Sequence, residues 1–219
     1  MFSHKTITKV LLEHEAKEIL NKRGLSVPRG IFIKKDMPLS SYEKELSELR
    51  FPVVAKVSSS EIRSKTDVKG IVFGIRSHNE LKTSVERIMD IDKAEGVLVE
   101  EMAPPGIEVI VGGIIDENFG PIVMFGLGGI FVELFKDVSF CLAPMNRDDS
   151  LWLIKQIKGY SLLKGYRGNP PVDIESLIKI ILSVSEMIVT SMYKEIDLNP
   201  VALYSEGAMI LDAKIEIIS

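Results

Sequence analysis

The sequence predicts an α+β protein built as two lobes, and three observations carry that expectation. Up to about Gly96, short apolar runs alternate with amphipathic stretches of helical period. From about Ile107 the apolar runs lengthen and follow one another through turns, as strands of an antiparallel sheet do. At 219 residues the chain has room for one large domain or for two lobes, with no internal repeat or low-complexity linker between them. The expected organisation is a single domain over 1–219, with an N-terminal lobe at 1–97 and a C-terminal lobe at 98–219, dividing at Gly96–Val97.

Taken in order, Val10, Leu11, Ala16, Ile19 and Leu20 recur at about 3.6-residue spacing and predict an opening helix that Gly24 ends. LSVPRGIFIKK then reads as a turn into a short strand, and Ser40 to Leu49 as an amphipathic helix with Tyr42, Leu46 and Leu49 on one face. FPVVAKVSS is a strand interrupted by one lysine, SSSEIRSKTDVKG a polar loop, and IVFGI a second strand. Glu80 to Met89 forms a charged helix and GVLVEEM returns to strand. IEVIVGGIID and PIVMFGLGG pair through a turn at Asn118 to Pro121. Helices follow near Asp148 to Lys158 and Asp173 to Met192, and the chain closes with the strands IDLNPVALY and AMILDAKIEII, joined at Ser205-Glu206-Gly207.

Composition removes several classes of function. A net charge of −4 argues against a dedicated nucleic-acid binder, which needs a basic field to neutralise phosphates. No apolar run approaches the ~18 residues that a membrane helix needs, and the opening lacks the uninterrupted apolar core of a signal peptide. The single cysteine, Cys141, excludes an internal disulfide framework, and His4, His14 and His78 have no metal-ligand spacing. A cytoplasmic protein is the expectation.

Lys56 is the first candidate for chemistry. A lysine inside an apolar strand either snorkels to the surface or meets an anion, because a buried unpaired ammonium is costly. The loop after it is rich in small hydroxyl side chains and backbone donors, a composition suited to lying over phosphates. Lys65 offers that loop a point charge, and Asp67 can fix it by accepting from nearby backbone N–H groups. In VLVEEMAPPGIEVIVGG, Glu100 and Glu101 end a strand and Glu108 stands in the next one. Ionised carboxylates suit ribose hydroxyls, and backbone at a strand end can read an adenine edge; solvated edge glutamates are the alternative.

The last hairpin gives a geometric argument. With a two-residue loop at Ser205-Glu206, Tyr204 pairs with Gly207, and counting back places Asn199 opposite Asp212. Opposed residues have Cβ atoms about 4.5–5.5 Å apart. An amide oxygen and a carboxylate so placed can share one hard cation such as magnesium, whose other ligands would be phosphate oxygens and water. A cap on the Asn199-Pro200 turn is the competing reading. Arg167, between glycines in KGYRGNPP, can clamp a phosphate or stay solvated, and the glycines of MFGLGGIFVE point to close strand packing.

The ordered series FPVVAKV, IRSKTDVKGIV, EEMAPPGIEVIVGG, FGPIVMFGLGGIFVELFKDVSF, LLKGYRGNPPVD and EIDLNPV…LDAK closely resembles the beta subunit of archaeal ADP-forming acetyl-CoA (acyl-CoA) synthetase, over nearly all of the chain. The resemblance implies the ATP-grasp fold, two α/β lobes with ATP or ADP and Mg2+ in the cleft between them. It also implies a CoA-binding alpha subunit as partner, whose histidine takes the phosphoryl group of an acyl phosphate before it passes to ADP. By the same likeness Lys56 is the phosphate lysine, Glu100, Glu101 and Met102 the adenine hinge, and Glu108 the ribose acceptor. Asn199 and Asp212 look like the metal ligands. The residues' own chemistry adds Lys65, Asp67 and Arg167 as the expected catalytic set, with Ser64 beside them. The chain departs from the family pattern at three positions: Ser64 stands where the family has a loop histidine, Lys69 where it has a glycine, and Cys141 where arginine is usual. A serine hydroxyl cannot form the labile phosphoramidate of an imidazole. The expected activity is therefore that of an acid–thiol ligase subunit, with a relay-deficient, non-catalytic or regulatory nucleotide binder as the alternative.

Overall fold

The computed structural model describes residues 7–129, 136–166, 168 and 170–218. The α+β expectation holds, with two antiparallel sheets, each covered by helices on one face. Contacts divide the chain into two units, one of residues 1–11, 16–27 and 105–219 and a smaller one of 12–15 and 28–104.

In the smaller unit the four strands are β2 (Gly30–Lys34), β3 (Val53–Ser58), β4 (Ile71–Ile75) and β5 (Gly96–Glu101), in the order β2-β5-β3-β4. Alternation along a strand sends Val53, Ala55, Val57, Val97 and Val99 to one face. There they pack with Leu46 of α2 (Glu43–Ser47) and with Leu81, Val85 and Ile88 of α3 (His78–Met89). Ser77 caps α3 by accepting from the Glu80 N–H. Val54, Lys56, Ser58, Leu98 and Glu100 point to the opposite face and are buried as well. The helix read at Ser40 to Leu49 is shorter, a 3-10 turn at Leu39–Tyr42 running into α2.

The larger unit holds β1 (Thr8–Val10), β6 (Ile107–Asp116), β7 (Gly120–Leu127), β8 (Val138–Leu142), β9 (Tyr193–Leu203), β10 (Ala208–Ile210) and β11 (Ala213–Ile218). Its path is β1-β11-β9-β6-β7-β8, with β10 also on β9. The helices are α1 (Glu13–Lys22), whose first residues belong to the smaller unit, α4 (Arg147–Gln156), α5 (Tyr160–Leu163) and α6 (Ile174–Ile188). The face of α6 formed by Leu177, Ile181, Val184 and Ile188 is fully buried against the sheet. Glycine at 113 permits this approach, because a Cβ there would lie 2.9 Å from Val184 Cγ1. Gly112, Asp197 and Asn199 consequently face away from the helices.

Three expectations shift. Val10 belongs to β1, which pairs with β11, so the helix starts only at Glu13; the apolar spacing suited a helix, but the partner strand lies at the other end of the chain. The division falls after Pro104 and not at Gly96–Val97, since β5 is hydrogen-bonded on both edges, to β2 and β3, and stays whole with its sheet. The stretch AMILDAKIEII is broken at Leu211–Asp212 into β10 and β11, because both amides donate to the Pro200 carbonyl.

Asp173 ties α6 to the last hairpin. Its carboxylate accepts from the Ser176 N–H, the Ser176 hydroxyl and the Gly207 N–H. The Ser176 amide and hydroxyl, with the Gly207 amide, hold its pKa below the ordinary value. A lowered folded-state pKa contributes stability that is present above the unfolded value of about 4 and is lost as pH falls through the folded one. Asp173→Ala should therefore lower stability by about 1–2 kcal/mol at pH 7, in the range of a lost N-cap. Denaturant titrations should show the difference from the unmodified chain narrowing below about pH 4.

Candidate functional site

Lys56 does not snorkel. It is 6% exposed, and its ammonium lies 2.8 Å from Glu13 Oε1 and 2.8 Å from Glu100 Oε2. Its direct partner on β5 is Leu98, and Glu100, two residues on, shares its face of the sheet. Glu13 comes from the start of α1, in the short stretch 12–15 that belongs with this unit, where His14 also stacks on Phe32 of β2 at 3.9 Å. The other oxygen of Glu13 is 2.8 Å from Nζ of Lys65. Two carboxylates and two ammoniums thus form one largely buried cluster. Glu13 escaped the sequence reading because it sits among alternating acids and bases of an amphipathic helix, with nothing local to distinguish it from a solvated glutamate.

The loop after β3 is held by its own backbone. Gly70 N–H donates to Lys65 O, Lys69 N–H to Thr66 O, and Val57 N–H to Gly70 O. Ser64 Oγ accepts from the Asp67 N–H, so the anchoring bond runs from the Asp67 amide to Ser64 and not, as expected, into the Asp67 carboxylate. Lys69 adopts φ +53°, the left-handed region in which glycine is at ease.

The hinge segment is also engaged internally. Glu101 pairs with Arg50 at 2.9 Å and accepts from the Arg50 amide, and the Arg50 hydrogen bond holds its carboxyl below the ordinary range. The Glu101 amide donates to Arg29 O and the Met102 amide to Pro52 O, while the Met102 sulfur accepts from Gly74 N–H. Of the acids expected here, Glu100 faces Lys56 and Glu101 faces Arg50; Glu108, exposed on β6, belongs to the larger unit. Gly128 packs against the Glu108 backbone, where a Cβ would be 3.0 Å from its carbonyl oxygen, in line with strand packing as the reason for the glycines.

Leu203 pairs with Ala208 and Leu198 with Ala213, which puts Asn199 opposite Asp212 as counted from the hairpin. The Asn199 amide donates to Asp212 O at 3.2 Å. Asn199 is exposed and Asp212 half-buried at these opposed positions. Arg167 lies outside the described residues. Cys141 sits on β8 opposite Val123, and burial raises its thiol pKa.

A model of the ATP-grasp domain matches residues 4–217 of this two-sheet α+β chain. The acetate–CoA ligase (ADP-forming) I subunit beta of Pyrococcus furiosus is 42% identical over 213 residues, 93% of this chain and 90% of that one. The ADP-forming acetate–CoA ligase II of Archaeoglobus fulgidus is 42% identical over 206 residues, but the match spans only 30% of that longer protein. A solved acetyl-coenzyme A synthetase 1 from Candidatus Korarchaeum cryptofilum, bound to coenzyme A and Ca-AMPCP, superposes with a TM-score of 0.87 at 40% identity, covering 96% of this chain and 94% of that chain. The chain belongs to the ATP-grasp family and, within it, to the beta subunits of ADP-forming acetate–CoA ligases.

Lys69→Gly should raise stability by about 0.5–1 kcal/mol, the left-handed penalty of a side-chain-bearing residue less the extra entropy of glycine in the unfolded chain. Thermal melts of the two proteins check it, and Lys69→Ala should show no such gain.

Proposed function

We propose that this chain is the nucleotide-binding subunit of an ADP-forming acyl-CoA synthetase. With a CoA-binding alpha subunit it would interconvert carboxylate, CoA and ATP with acyl-CoA, ADP and phosphate. The observation that carries the reading is the match to a free-standing beta subunit along 90% of its length. The buried lysine on β3, followed by a loop with a second lysine, supports it from the chain's own geometry.

In this reading Lys56 and Lys65 of the smaller unit neutralise nucleotide phosphates, and Glu100 to Met102 border the adenine. Glu108 of the larger unit accepts from the ribose hydroxyls, and Arg167 belongs to the same catalytic set. Asn199 and Asp212 fit a magnesium ion, offering an amide oxygen and a carboxylate from opposed positions of one hairpin. Bound there, the ion would supply positive charge to the phosphoryl oxygens. The Asn199–Asp212 pair would fix its place, and the lysines would orient the polyphosphate.

Ser64 favours a second reading. Its hydroxyl is engaged in the loop turn with the Asp67 amide, and it has no imidazole nitrogen to carry a phosphoryl group. A nucleotide-binding partner that does not itself relay phosphoryl groups, and instead regulates or scaffolds an alpha subunit, would keep every other feature of the site.

Two measurements test these statements. Asp212→Ala should weaken binding of Mg-ATP by about tenfold or more, while metal-free ATP binds nearly as before. An equal loss in both titrations would make Asp212 structural. With an alpha subunit present, Ser64→His should raise CoA-dependent ATP cleavage by about tenfold or more over the unmodified chain, as restoration of a covalent carrier predicts. Full activity of the unmodified chain would show the histidine to be dispensable, and binding of Mg-ATP without turnover in either form would favour the non-catalytic reading.

A further inference from the structure

Glu13 has no role in the reading above, yet it is 5% exposed and bonded to both lysines of that reading. Its Oε1 meets Lys56 on β3 and its Oε2 meets Lys65 on the following loop, each at 2.8 Å. Glu100 serves Lys56 only from the side, at 2.8 Å on β5. One carboxylate therefore spans two ammoniums that stand on different segments.

We infer that Glu13 is a positioning residue for phosphate binding, holding Lys65 beside Lys56 so that the two ammoniums present a fixed pair of charges to a nucleotide polyphosphate. The inference rests on the nucleotide-binding reading. Two ammoniums brought within a few ångströms repel strongly where burial lowers the effective dielectric, so a negative charge between them is required to keep them together. The two lysines differ in a way that suits this task. The Lys56 side chain is 8% exposed and locked in the sheet, whereas that of Lys65 is 22% exposed and belongs to a loop. Lys65 is thus the ammonium at the rim, and its position depends on what it is bonded to. The backbone bonds of the loop, Gly70 N–H to Lys65 O and Val57 N–H to Gly70 O, place the Lys65 main chain, but a long flexible side chain is not fixed by them. Glu13 supplies that fixation, and it comes from a segment remote in sequence from both lysines. The neighbouring contact of His14 stacked on Phe32 keeps the 12–15 stretch on this face of the sheet.

The test uses the full chain and the variants Glu13→Gln, Glu13→Asp, Lys65→Gln and Glu13→Gln/Lys65→Gln. Calorimetry with magnesium measures ATP, ADP and the phosphate-free nucleoside adenosine; mass spectrometry follows tryptic cleavage after Arg63 and Lys69. Glu13→Gln should weaken ATP and ADP by roughly tenfold or more, leave adenosine unchanged, and speed cleavage in the loop. Glu13→Asp, which keeps the charge but is too short to span both ammoniums, should show a smaller split of the same sign; it decides the matter if the glutamine variant does not fold. The double variant Glu13→Gln/Lys65→Gln should weaken ATP by less than the product of the two single losses, since part of each loss comes from the one contact they share. Equal weakening of ATP and adenosine would reduce Glu13 to a structural residue, and unaltered ATP binding would overturn its role altogether. Should the unmodified chain bind neither ATP nor ADP, the nucleotide reading itself falls and takes this inference with it. If it binds both and the Glu13 variants match it, only the inference falls.

Discussion

A lysine ammonium in the middle of a sheet has to be neutralised where it stands, and the smaller unit is arranged around that requirement. Leaving Lys56 unpaired at 6% exposure would cost several kcal/mol, more than most single contacts return. Glu100 on the adjacent strand meets part of the demand through sheet register alone, since strand pairing sets which residues share a face. Glu13 meets the rest from outside the sheet. The stretch 12–15 is consequently assigned to the smaller unit although its flanks on both sides belong to the larger one. A sheet that buried only apolar residues on this face would have no use for that excursion of the chain.

A buried ion cluster of this kind is weak evidence for stability, because well-packed apolar residues would serve as well or better. Its retention is easier to understand as a cost carried for function, and the match to ATP-grasp beta subunits supplies the function it would serve. Phosphate oxygens are bound by fixed positive charges, and charges fixed in a low-dielectric setting act more strongly than solvated ones. The loop after β3 shows the same compromise at backbone level. Lys69 sits in a left-handed conformation that glycine would adopt without strain, while Ser64 uses its hydroxyl to hold the Asp67 amide. Both residues lie in the one loop that follows the strand of Lys56 and carries Lys65.

The larger unit handles its polar residues differently. Its sheet is covered by helices on one face, and glycine at 113 lets α6 approach closely. The other face is left to Gly112, Asp197, Asn199 and, across the hairpin, Asp212. Asn199 is exposed there, and Asp197 and Asp212 are half-buried.

Much of this was legible in the sequence, for reasons of range. Helix α3, the strands β3 to β5, the β6–β7 pair and the long α6 follow from periodicity and turn residues within a dozen positions. The opposition of Asn199 and Asp212 was countable because a short loop fixes the register of a hairpin. The family, too, could be read from the order and spacing of its motifs. What the sequence could not determine depended on distant partners. Val10 became a strand because β11 runs beside it from the other end of the chain, and β5 joined the smaller unit because its two neighbours do. For Lys56 the sequence left two outcomes open, a side chain reaching the surface or an anion beside it, and burial at 6% exposure decided for the anion. That the anion was Glu13, 43 positions away and outwardly one more acid on a charged helix, was decided only by tertiary packing, because which carboxylate reaches an ammonium is a matter of distance in space and not along the chain.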